Sequence, residues 1–89
     1  MREIIRTTQF KKDYKKIATS RRYSLDDFLT VVELLLHDKE LPSKYRDHSL
    51  VGEWKGSREC HIKPDGLLIY QKLDKELVFI RTGSHSELF

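Results

Sequence analysis

Apolar residues along this chain follow two spacings. Up to about residue 37 they recur at helical intervals, and from about residue 58 they alternate or run in short strand-like blocks. The stretch "REIIRT" (2–7) has an apolar centre between charged flanks and reads as a first strand, after which Thr7 or Thr8 can cap a helix. In "QFKKDYKKIA", Phe10, Tyr14 and Ile17 form one stripe, with Lys11, Lys12, Lys15 and Lys16 off it. "SRRY" breaks that pattern. Ser24, with Asp27 three residues on, then carries a capping-box signature that opens a second helix over about 24–37. Its stripe is Leu25, Phe28, Leu29, Val32, Leu35 and Leu36. The polar "HDKELPSKYRD", with Pro42, is a connecting loop with room for one helical turn.

The second half changes period. "RECHI" alternates, placing Arg58, Cys60 and Ile62 on one face and Glu59 and His61 on the other. "KPDG" (63–66) is a turn, "LLIYQKL" (67–73) a strand, "DKE" a tight turn and "LVFIRT" (77–82) the last strand of a hairpin. The predicted order is β-α-α-β-β-β. This is an α+β domain, with two helices on one face of a small, mostly antiparallel sheet. The opposite face and the sheet edges are left for a site.

Composition narrows the class. Eighty-nine residues make one domain, 1–89, without repeats or an internal linker. One cysteine, Cys60, cannot form an intrachain disulfide, and no apolar run approaches the roughly 20 residues of a membrane span. A small cytoplasmic protein with no membrane partner is expected. The net charge of +3 is unevenly distributed. Residues 1–22 carry eight Lys/Arg against two acids, residues 23–47 three against six, and the remainder balance. A basic first quarter attracts phosphate or an acidic protein, and equally suits a solvated lysine-rich helix face.

Three of four histidines lie beside turn chemistry in the second half: His48 in "DHSLVG", His61 in "ECHIKPD" and His85 in "TGSHSELF". Asp65 sits at the turn that follows His61. A strand, a turn and a chain end can meet at one end of a small sheet. Two imidazoles and a carboxylate make a minimal acid–base set for phosphodiester cleavage. Taken singly, each histidine has a plain structural role: His48 closing a loop, His61 on an exposed sheet face, His85 in the tail. His37, at the end of the long helix, suits the dipole. The chemical rival is a metal site, because His48, His61, His85 and Asp65 are competent zinc or iron ligands. No two share the spacing of a local chelate, so no cofactor is expected. Cys60 alternates with His61 and reads as a small core residue. Trp54 reads as a core or edge aromatic, while Lys55, Arg58 and Arg81 are candidate phosphate contacts.

"DHSLVGEWKGSRECHIKPD" (47–65), followed by "LLIY", "RTGSH" and a terminal "LF", resembles the YafQ branch of the RelE-like bacterial toxins. The shared frame is D-H-x-L-x-G-x-W-K-x-x-R-x-x-H-x-x-P-D, then R-x-G-x-H and a C-terminal phenylalanine. The resemblance implies a ribosome-dependent messenger RNA endonuclease, metal-free, in which the RNA's own 2′-hydroxyl attacks the adjacent phosphate. It also implies a cognate antitoxin. By position, the family's catalytic residues correspond to His48, His61, Asp65, His85 and Phe89, and Arg81 to a phosphate-stabilising arginine. Glu59 stands where the family often has aspartate, with an undetermined role. The alternative of a different class is a non-catalytic RNA-, ribosome- or protein-binding module with the same fold.

Overall fold

The computed structural model describes all residues, 1–89, and follows the predicted order with two additions. Strand β1 (Glu3–Arg6) leads into helix α1 (Thr8–Ser20), capped by the Thr7 hydroxyl, which accepts the Phe10 N–H. Helix α2 (Leu25–Leu36) opens on the expected capping box of Ser24 and Asp27. Single 3-10 turns, Ser43–Tyr45 and Gly52–Trp54, flank a two-residue strand β2 (His48–Ser49) that the polar loop pattern concealed. Strands β3 (Arg58–Lys63), β4 (Gly66–Lys72) and β5 (Glu76–Gly83) follow, and the chain closes with one helical turn, α3 (His85–Leu88). No helix is long and apolar enough to cross a membrane.

The five strands lie in the order β1-β5-β4-β3-β2, with β1 parallel to β5 and every other pair antiparallel. Both long helices cover one face. Phe10, Ile17, Phe28, Val31, Val32 and Leu35 meet Cys60, Ile62, Leu68, Tyr70, Leu77 and Phe79 there in one buried cluster. Each such large side chain taken from water contributes about 1.5–3 kcal/mol. The buried stripe of α2 is Phe28, Val31, Val32 and Leu35, narrower than the sequence pattern. Leu25 and Leu29 are exposed, because they lie outside that i, i+3, i+4, i+7 seam. The opposite face carries only a small cluster: Leu67, Ile69 and Leu88, flanked by Leu50, Trp54 and Ile80.

Candidate active site

The site starts from alternation in β3. With Cys60 and Ile62 facing the helices, Glu59 and His61 face the open side. Cys60 is wholly buried and burial pushes its thiol up, so it is no nucleophile. Strand β2 pairs antiparallel with β3 and sets His48 directly opposite Glu59, where side chains on one face touch. Glu59 is thereby buried, only 4% exposed, between two imidazoles. Its Oε1 lies 3.2 Å from His61 Nε2 and 3.7 Å from His48 Nε2. The far nitrogens face carbonyl oxygens: His61 Nδ1 is 3.3 Å from that of Pro64, and His48 Nδ1 is 2.6 Å from that of Arg46.

The second arm arrives from β5. Leu67 is in register with His61 on one side and Gly83 on the other, so the ends of β3 and β5 lie about 10 Å apart. Beyond Gly83, Ser84 and Glu87 form a capping box that starts α3. The Ser84 backbone N–H holds the Glu87 carboxyl below its ordinary range. Asp65 ties this turn to the β3–β4 turn: its Oδ1 accepts the His85 backbone N–H at 3.2 Å, and its Oδ2 accepts from Arg22 Nη1 at 2.8 Å. Arg22 also reaches Glu87, with Nε 3.6 Å from Oε1. The α1–α2 connector can lie so close because residue 66 is glycine, where a Cβ would sit 2.8 Å from the Tyr23 ring. Leu88 is buried on the open face, the Phe89 ring is 5.1 Å from His85 and 6.3 Å from Trp54, and half of Phe89 stays exposed. The tail is docked, and its two rings remain accessible. The ring of His85 makes no hydrogen bond.

His48, His61, His85, Asp65 and Phe89 therefore share one end of the open face; the sequence suggested that a strand, a turn and the tail could meet, and Phe89 joined the set only through the resemblance. The cations do not all join them. Arg58 donates from Nε and Nη2 to Asp47 and from Nη1 to Ser49, so every nitrogen is engaged. The Asp47 bond also raises its pKa further. Arg58 thereby ties β3 to Asp47 and Ser49, and one N–H on each of its terminal nitrogens has no partner. Arg81 donates from Nε and Nη2 to Asp13 of α1, leaving only Nη1 unengaged. Lys55 is exposed directly after Trp54. His37 caps α2 and meets Glu33 one turn back, as its structural reading required.

Two contributors escaped the sequence. Arg22, in the "SRRY" break, carries no local signal of its contact with Asp65, which is 43 residues away. The α3 capping box was legible as "SHSE", the S-x-x-E signature, but was hidden at a chain end. No three His, Cys, Asp or Glu side chains converge closely enough to hold a metal ion.

The family model described as the bacterial toxin of a type II toxin–antitoxin system, YafQ, matches residues 2–89. The mRNA interferase toxin YafQ of Escherichia coli K12 is 42% identical over 89 residues, spanning 99% of this chain and 96% of that protein. Among solved structures, the E. coli DinJ–YafQ toxin–antitoxin complex superposes with a TM-score of 0.85 at 42% identity, covering 99% of this chain and 97% of that one. A metal-bound toxin from Helicobacter pylori superposes at 0.88 with 43% identity over the whole of both chains.

Proposed function

The chain belongs to the YafQ family of toxins of bacterial type II toxin–antitoxin systems, and we propose that it cuts messenger RNA on the ribosome by metal-independent acid–base chemistry on the open sheet face. It is an mRNA interferase, hence an endoribonuclease, and a cognate antitoxin neutralises it as DinJ accompanies YafQ in E. coli. Ribosome dependence places its action in the cytoplasm.

One observation carries the assignment of roles: Glu59, buried between His61 and His48, contrasts with the unbonded ring of His85. His61 has a carboxylate beside Nε2 and a carbonyl beside Nδ1, so only the doubly protonated ring donates to both. That makes His61 the general acid. His85 has a free ring on an anchored turn and acts as the base. It removes the proton of the 2′-hydroxyl, whose oxygen attacks the adjacent phosphorus. The bond from phosphorus to the 5′-oxygen breaks, and His61 protonates that oxygen as it leaves. The products are a 2′,3′-cyclic phosphate and a 5′-hydroxyl.

Asp65 acts through its backbone contact to His85 and holds the base in place. His48 shares Glu59 and completes the acid's surroundings. Phe89 offers an exposed π-face to a base, with Trp54 behind it. The free Nη1 of Arg81 and the ammonium of Lys55 remain to meet phosphate.

An RNA whose scissile 5′-oxygen is replaced by sulfur tests the roles, because a thiolate leaves without an acid. The His61→Gln variant should recover most of the parent rate on that substrate, and His85→Ala should not. Equal failure of both, or recovery of His85→Ala alone, contradicts the assignment.

A further inference from the structure

Beyond β2, the outer edge of β3 is unpaired from His61 onward, since β2 pairs only with Arg58 and Glu59. The 3-10 turn Ser43–Tyr45 and the first turns of α2 stand off this edge and leave an open cleft of about 310 Å³. It is lined by Asp27, Thr30, Lys44, Tyr45, His61 and Lys63, so it borders the residue read as the general acid. We propose that this cleft is a nucleotide subsite, seating the residue next to the scissile phosphate with its own phosphate between Lys44 and Lys63. The inference rests on the RNA-cleaving reading and adds where the flanking strand goes.

The charges favour an anion. Lys44 Nζ lies 5.1 Å from the centre of the Tyr45 ring and has no carboxylate partner, so its ammonium is held over an aromatic wall. Lys63 Nζ is 3.6 Å from Asp27 Oδ1, a loose pair that can swing toward phosphate. Asp27 is held by α2's capping box: its Oδ2 takes the Ser24 N–H, leaving Oδ1 turned to the cleft. With His61 protonated, as the general acid requires, the lining carries two net positive charges, which favour a phosphodiester. Thr30 Oγ1 donates to the Asp26 carbonyl and keeps its lone pairs for a ribose or base donor. A nucleotide here lies next to His61, the residue that protonates the leaving 5′-oxygen in the proposed reaction. No equivalent lysine pair flanks His85.

The test uses the full chain with His85→Ala, which retains the cleft but not the base. Its probe is a single-stranded hexanucleotide whose 2′-hydroxyls are methylated, so it cannot be cut. Lys44→Gln and Lys63→Gln should each weaken binding about three- to tenfold. Each should also reduce the slope of log affinity against log salt by about 0.7. Amide resonances of Thr30, Tyr45 and Lys63 should shift on titration. Shifts at Glu59 and Phe89 without shifts at Thr30, Tyr45 and Lys63, or an unchanged salt slope in both lysine variants, overturn the subsite and leave RNA cleavage standing. Absence of RNA shifts anywhere overturns both. Lysine variants that lose affinity for the antitoxin but not for the oligonucleotide assign the cleft to a protein partner and overturn it as well.

Discussion

Two buried carboxylates, one on each face of the sheet, are equally hidden and differently served. Asp13 and Glu59 are each 4% exposed. Asp13, on the helix-covered face, accepts two bonds from the Arg81 guanidinium, one from Gln9 and one from the Thr82 backbone N–H. Burial pushes its carboxyl up, but those bonds outweigh burial and hold it below the ordinary range. Glu59, on the open face, has only two imidazoles for company. A guanidinium never gives up its proton near neutrality, whereas an imidazole does so readily. The first arrangement fixes α1 to β5, and the second sets a buried carboxyl against two rings that exchange protons near neutrality. Equal burial leaves the two acids in different chemical company.

The largest expected effect lies on the open face. His61→Gln and His85→Ala should each lower the cleavage rate about 10²–10⁴-fold, with an unchanged thermal midpoint. A loss of rate that tracks a loss of folded protein breaks the contrast. On the other face, Asp13→Asn should reduce unfolding free energy by about 2–3 kcal/mol in urea titrations, because a charge-assisted network loses its acceptor. The activity of its folded fraction should fall by less than about fivefold. A smaller and sharper effect concerns the tie between the arms. Arg22→Ala frees Asp65 and Glu87 and should lower the cleavage rate about three- to tenfold, with little change in RNA affinity. Arg22→Lys should restore part of it, since the contact to Asp65 survives.

Acid should reveal Asp13 separately. Its folded-state pKa lies below its ordinary value of 3.8, so its contribution is complete above that pH and lost as pH falls further. The Asp13→Asn variant should lack that part of the acid-induced loss, read from unfolding curves between about pH 5 and 2. For the metal rival, cleavage should persist after exhaustive chelation. Loss restored by added zinc would favour that rival, with ligands drawn from His48, His61, His85 and Asp65.

Most of this architecture was written in local patterns. The capping box at Ser24 and the strand alternation around His61 each follow from a few neighbouring residues, and both appear as read. The convergence of His61, Asp65 and His85 followed from topology, because β3 and β5 end on the same side. What stayed hidden depends on contacts between distant segments. Two residues of β2 bury Glu59, and nothing in "DHSLVG" states that it will pair with "RECHI". Arg58 and Arg81 looked alike in sequence, and only their partners across the fold show three bonds on the first and two on the second. The tail was the opposite case: its docking depends on Leu88, Asp65 and Trp54, and it holds a residue that frays in most chains.

The most direct measurement is a single-turnover cleavage assay on messenger-programmed ribosomes, with Glu59→Gln and Asp13→Asn compared at a temperature where both are folded. We expect Glu59→Gln to lose at least about tenfold in rate, because the acid loses the charge behind its proton, and Asp13→Asn to stay close to the parent. A Glu59→Gln variant that cuts at the parent rate, or an Asp13→Asn variant that loses as much, contradicts the division of labour between the two faces.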